Sequence, residues 1–161
     1  MSYSSKRTIA SIAAGAVAIA AYIIYALSER SPAPEDLKAW AITMLVFIGI
    51  GVALVIVIQI LFHIATAIGI AAKEPGCDDK EIERNISSLM VEDERDKLIN
   101  LKSSHAGYIL AGIGFIAALA GLAAGISSVF ALHILFGSFA AGSLVEGLIS
   151  VHFYEKGVHS G

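Results

Sequence analysis

The chain alternates between long apolar stretches and short polar ones, and this pattern predicts membrane helices. An α-helix rises about 1.5 Å per residue, so about 20 apolar residues cross a hydrocarbon core of about 30 Å. Four runs of at least that length are present, separated by segments that contain Pro, Gly or clustered charges. The predicted spans are residues 7–27, 39–70, 105–126 and 130–154.

The second apolar run is longer than a membrane requires. Pro32 and Pro34 end the first helix, and the second is expected to begin near Glu35. Residues 39–72 then hold no Asp, Glu, Lys or Arg. A helix of that length must tilt strongly, project beyond the bilayer, or break near Gly49 and Gly51.

The polar segment 73–104 parts the two apolar halves. It holds six of the eleven Lys and Arg residues and nine of the fourteen acids. An apolar stripe with helical spacing, at Ile82, Ile86 and Leu89, predicts an amphipathic helix on the membrane surface or against a partner. The pair Asp93 and Lys97, four residues apart, favours a helix that runs on into the third span.

Small residues recur along the third span at spacings of three and four. Small side chains let helix backbones approach closely. In lipid the hydrophobic effect does not bring helices together, so this close packing is what favours their association. A chain with one dominant stripe of this kind is expected to associate as a homodimer. The members are Gly107, Ala111, Gly114, Ala118, Gly121 and Gly125.

Composition agrees with a single membrane domain. The 161 residues are 57% hydrophobic and 16% charged, with a mean hydropathy of +0.77, whereas soluble domains carry about 25% charged residues. The net charge of −3 gives no basis for nucleic-acid binding, and the single Cys77 forms no intramolecular disulfide. The motifs of phosphate-binding loops, serine hydrolases and zinc proteases are missing. We therefore expect a non-enzymatic protein with no cofactor and no metal.

The distribution of Lys and Arg predicts the orientation. The N-terminal tail carries two, the central segment six, the tail after the fourth span one, the loop after the first span two and the loop after the third none. Cytoplasmic loops carry the excess of basic residues. The chain is thus expected to be a multi-pass protein of the plasma membrane, with both termini and residues 73–104 in the cytoplasm.

Glu146 is the one acid well inside a predicted span. An ionisable group at that depth is costly and is by default a candidate for function. Ser143 and Ser150 lie on the same helical face, and Gln59 and His63 share a face of the second span at a similar level. Our first hypothesis is that these five residues bind or move a small solute or ion.

Three alternatives compete with that hypothesis. Glu146 and the histidines could be structural, as polar contacts between membrane helices. Pairs of His could bind haem or a metal, although His133 lies near the opposite side and lacks a His partner at its level. Finally, the protein could be an adaptor or regulator that docks a cytosolic partner. Its contacts would then be Ile82, Ile86, Leu89, Asp93, Glu94 and Arg95.

The motif Asp93-Glu94-Arg95, just before the third span, resembles that of a family of small bacterial and archaeal membrane proteins of uncharacterised activity. The runs 36–38 with Trp40, and 62–64, look similar to clostridial members of that family. The resemblance implies a four-span membrane protein and no particular ligand. It also makes the Asp-Glu-Arg motif a candidate contact with a partner or a second copy.

Overall fold

The structure, a computed structural model, describes residues 3–73 and 94–157, with side chains placed for 5–69 and 94–157. Within those ranges the chain forms four helices: α1 (Tyr3–Ala26), α2 (Leu37–Lys73), α3 (Glu94–Ala123) and α4 (Ser128–Lys156). All four are long and apolar enough to cross a membrane. This confirms the all-α bundle of four membrane helices. The stripe Ile82, Ile86 and Leu89, predicted for the cytoplasmic segment, lies outside the described residues.

The outer surface of the bundle is apolar. Ile24 on α1 and Ile116 on α3 leave 71% and 68% of their surface exposed, and α2 presents a row of exposed Leu, Ile and Val side chains. In water such a surface would drive aggregation, whereas lipid solvates it without penalty. The chain is therefore a multi-pass membrane protein by its surface as well as by its helix lengths.

α2 begins at Leu37, two residues later than expected, because Asp36 caps it. The Asp36 carboxylate accepts a hydrogen bond from the backbone N–H of Ala39 at 2.9 Å, as a helix N-cap does. The helix then continues unbroken past Gly49 and Gly51 to Lys73. An unbroken helix keeps every backbone group bonded inside lipid. At 37 residues it measures about 55 Å, so it must tilt or project rather than break.

A tight turn joins α3 and α4. α3 ends at Ala123, before the predicted boundary at 126, because Gly125 adopts a left-handed conformation with φ of 90°. The N–H of Ile126 bonds the Gly121 carbonyl, and that of Gly125 bonds the Leu122 carbonyl. These are the two bonds of a Schellman motif.

α4 is the central helix of the bundle. It packs against α3 along most of its length and also contacts α1 and, less extensively, α2. The small-residue stripe of α3 forms this contact, since Gly107, Ala111, Gly114 and Ala118 are all buried. The stripe is therefore used within one chain and does not support the predicted homodimer, which stays a prediction.

Aromatic rings pack together at the end of the bundle near the α1–α2 loop. The ring of Tyr22 lies 4.4 Å from that of Phe136, and the ring of Trp40 lies 4.5 Å from that of His133, centroid to centroid. Trp40 is buried here and donates its indole N–H to the Ala33 carbonyl. This aromatic cluster ties the α1–α2 hairpin to α4.

Candidate functional site

A cavity of about 420 Å³ lies at the end of the bundle where α1 and α3 begin and α4 ends. All four helices line it, and along α4 it extends from Ser143 to Tyr154, about 16 Å of helix axis. Most of its lining residues are polar or charged: Arg7, Thr8, Ser11, Gln59, Asp96, Asn100, Ser103, Ser143, Glu146, Ser150 and Tyr154.

The cavity exists because two of the helices do not pack closely. α1 packs against α2 and α4, and α3 packs against α4, but α1 and α3 share no extensive contact in the described chain. The space between them is closed on one side by α4, with α2 contributing Val55 and Gln59. The tertiary arrangement thus brings polar faces from four separate helices around one volume.

Hydrogen bonds hold Arg7 in place on the α1–α2 side of the cavity. Its Nε donates to Oε1 of Gln59 at 2.6 Å, and Nε2 of Gln59 donates to Oγ of Ser11 at 2.9 Å. Ser11 in turn donates to the Arg7 carbonyl at 3.2 Å. Because Gln59 uses both ends of its amide, it fixes the guanidinium of α1 against α2.

Glu146 lies on the α3–α4 side. Its side chain is half-buried, and Oε1 accepts a hydrogen bond of 2.6 Å from the hydroxyl of Ser104 on α3. The carboxyl group also lines the cavity. Glu146 therefore does make a polar contact between membrane helices, as the structural alternative predicted. The same carboxyl group also faces the cavity.

Two glycines allow α3 and α4 to cross closely beside Glu146. A Cβ added to Gly107 would lie 3.1 Å from Oε2 of Glu146 and 3.2 Å from the Gly142 carbonyl oxygen. A Cβ added to Gly142 would lie 2.8 Å from the Gly107 carbonyl oxygen. No larger residue fits at this crossing without a shift, and the crossing positions Ser104 within reach of Glu146.

The structure brings together four of the five residues predicted as a site: Gln59, Ser143, Glu146 and Ser150 all line the cavity. His63 does not line it, although it lies one turn beyond Gln59 on α2.

The other histidines lie apart from the cavity. His105 and His152 are exposed. His133 belongs to the aromatic cluster at the opposite end, where its Nδ1 donates to the Val129 carbonyl at 2.8 Å. Within the described residues, the structure does not set two His rings facing each other where haem would bind; the ring contacts of His133 are with Tyr22 and Trp40.

Sequence reasoning missed Arg7, Ser11, Asp96 and Asn100, all of which line the cavity. Arg7 was interpreted only as a basic residue that orients the first span. A signal was available, because Arg7, Ser11 and Gly15 recur every four residues on α1, and Asp96, Asn100 and Ser103 follow a similar spacing on α3. Each set forms one polar face at the start of a helix.

The residues predicted to contact a protein partner are described only in part. Glu94 and Arg95 are exposed, and the guanidinium of Arg95 donates to the Tyr154 carbonyl at 3.4 Å. This bond joins the start of α3 to the end of α4. Asp93, together with the stripe predicted at Ile82, Ile86 and Leu89, lies outside the described residues, so the docking role stays a prediction.

Comparisons with protein-family models, with curated proteins and with solved structures found no match to this chain. The resemblance to small membrane proteins with an Asp-Glu-Arg motif thus stays a prediction. We therefore infer function from the cavity itself.

Proposed function

We propose that this protein is a non-enzymatic membrane protein that binds a small polar or charged solute in the cavity beside Glu146. The observation that carries the proposal is the polar lining of a 420 Å³ space in a bundle whose outer surface is apolar. Ligand sites in proteins have volumes of about 300–1,000 Å³ and a few polar groups that converge on them.

The cost of polar groups in a membrane favours binding over a purely structural role. Polar side chains that act as contacts between membrane helices meet a neighbouring helix directly, as Ser104 meets Glu146. Arg7, Gln59 and Glu146 also make hydrogen bonds between helices, but in addition they line an open space that a ligand or water can enter. Direct helix contacts explain individual bonds in this region but not the space between α1 and α3.

The proposed orientation determines which side supplies the solute. Arg7 at the start of α1 and Tyr154 near the end of α4 lie at the end of the bundle to which the Lys and Arg distribution assigns the cytoplasm. We propose that the cavity opens to the cytoplasmic side. Gln59 is the polar contribution of α2 to this site, whereas His63 does not line the cavity.

A cysteine-labelling experiment tests whether the cavity is open to water. In full-length protein with Cys77→Ser, reconstituted in lipid nanodiscs, Ser143→Cys should react with a charged methanethiosulfonate reagent, because a thiol ionises and reacts in water. The matched control is Leu148→Cys on the lipid-facing surface of the same helix, which should stay unlabelled. An unreactive Ser143→Cys would contradict the proposal.

The same reporter detects binding. At least one of potassium, methylammonium and glycine should slow the labelling of Ser143→Cys, since an occupied cavity excludes the reagent. The protection should be lost on Glu146→Gln and retained on Glu155→Gln, which removes an exposed carboxylate of α4 outside the cavity. Absence of protection by every probe, or equal protection in both variants, would contradict a site at Glu146.

A further inference from the structure

The cavity carries opposite charges on opposite sides. Arg7 belongs to α1, on the side that packs with α2, whereas two acids, Asp96 of α3 and Glu146 of α4, line the other side. Arg7 and Glu146 are each held by a neutral partner, Gln59 and Ser104 respectively. Within the described residues, no ion pair joins Arg7 to Glu146.

Charges of opposite sign attract each other, yet Arg7 and Glu146 are hydrogen-bonded to separate partners on separate helices. Here Gln59 and Ser104 orient the two groups separately, and the cavity remains between them.

We infer that the ligand of this cavity is a small zwitterion, whose anionic group binds Arg7 and whose cationic group binds Glu146; this rests on the proposed function. The planar guanidinium presents its donors in a fork that matches a carboxylate or phosphate. The Glu146 carboxylate accepts hydrogen bonds from an ammonium group. A ligand of this kind completes the interaction that the two side chains do not make with each other.

A ligand with a single charge fits the cavity less well. A simple cation gains from Glu146 and Asp96 but is repelled by Arg7, and a simple anion gains from Arg7 but is repelled by the two acids. The zwitterion is neutral as a whole, so it brings no net charge into the membrane region, where net charge is costly. The volume of about 420 Å³ is within the range for small-molecule sites.

The test compares three probes that share a four-carbon chain: 4-aminobutyrate, butylammonium and butyrate. Binding to the full-length protein in nanodiscs is measured by saturation-transfer NMR, with empty nanodiscs to subtract partition into lipid. We expect 4-aminobutyrate to bind at least tenfold more tightly than either single-charge probe. Glycine, 3-aminopropionate and 5-aminopentanoate then identify the spacing of charges that the site prefers.

Two variants separate the roles of the two charges. Arg7→Gln should lower the affinity for 4-aminobutyrate to that for butylammonium. Glu146→Gln should lower it to that for butyrate. The retained binding of the single-charge probe shows that each variant still folds. Arg30→Gln in the α1–α2 loop and Glu155→Gln, both outside the cavity, are the matched controls and should bind all probes as the unaltered chain does.

The outcomes distinguish this inference from the proposed function. If butylammonium binds as tightly as 4-aminobutyrate and Arg7→Gln changes neither, the zwitterion is refuted while a cation site at Glu146 stands. Preferential binding of butyrate also refutes the inference and assigns the site to an anion. If no probe of any charge binds, both the zwitterion and the proposed solute site are refuted.

Discussion

Substitution of Gly142 by Ala tests the close crossing of α3 and α4. The added Cβ would lie 2.8 Å from the carbonyl oxygen of Gly107, 3.5 Å from its carbonyl carbon and 3.7 Å from its Cα. These are backbone atoms, which cannot rotate away as a side chain would. An ordinary carbon–oxygen contact is about 3.3 Å or longer, so the two helices must separate by roughly 0.5 Å.

The expected cost follows from that separation. A gap of about 0.5–1 Å removes a quarter to a half of each van der Waals contact along the crossing, and overpacking typically costs about 1–3 kcal/mol. Ala is also the better helix former by about 0.5–1 kcal/mol. Gly137→Ala in the same helix gains this propensity alone, since nothing lies within 4 Å of its added Cβ.

The difference between the two variants therefore isolates the packing term. Unfolding by SDS in mixed micelles, followed by circular dichroism, should give a free energy of unfolding for Gly142→Ala that is about 2 kcal/mol below that of Gly137→Ala. Ser104 and Glu146 lie close to this crossing, so Gly142→Ala should also weaken probe binding. Equal free energies for the two variants would refute the close crossing.

Three further predictions concern single contacts and use the same unfolding measurement. Gly114→Ala should destabilise the bundle by at least about 2 kcal/mol, because its Cβ would collide with the side chain of Ser138. The additional substitution Ser138→Gly should restore most of the lost stability. If stability is not restored, the collision with Ser138 is not the cause of the loss. Tyr22→Phe should leave stability unchanged or raise it by about 1 kcal/mol, since the Tyr22 hydroxyl is buried without a hydrogen-bond partner among the described residues. A clear loss of stability would show that the hydroxyl does make a hydrogen bond. Asp36→Ala should lose about 1 kcal/mol of cap energy, whereas Asp36→Asn should not, and identical losses would contradict capping.

The number of apolar helices could be predicted from the chain, and most of their limits agree to within a few residues. The exception is α3, which begins at Glu94, eleven residues before the predicted span at 105, as the pair Asp93 and Lys97 had favoured. Length and apolarity alone identify a membrane span, because lipid demands that every backbone group be bonded within the helix. The errors arose at the helix ends, where a single residue decides. Asp36 starts α2 later than expected, and Gly125 ends α3 earlier.

The candidate site could be predicted only in part. Glu146 attracted attention because a carboxylic acid inside a span is rare, and its neighbours on α4 followed from helical spacing. Arg7 did not attract attention, since a basic residue at the start of a span is explained by its effect on membrane orientation. His63 was grouped with Gln59 by their shared face, but only Gln59 lines the cavity.

The sequence by itself therefore determined that four helices cross the membrane and that α3 has a face of small residues for close packing. Only the tertiary structure decided that α4 of the same chain covers this face. It also decided that α1 and α3 stay apart, so that Arg7 and Glu146 line one space. The physical reason is that lipid is as apolar as a protein core. The inward and outward faces of these helices carry similar residues, and the hydrophobic pattern does not reveal which helix lies beside which.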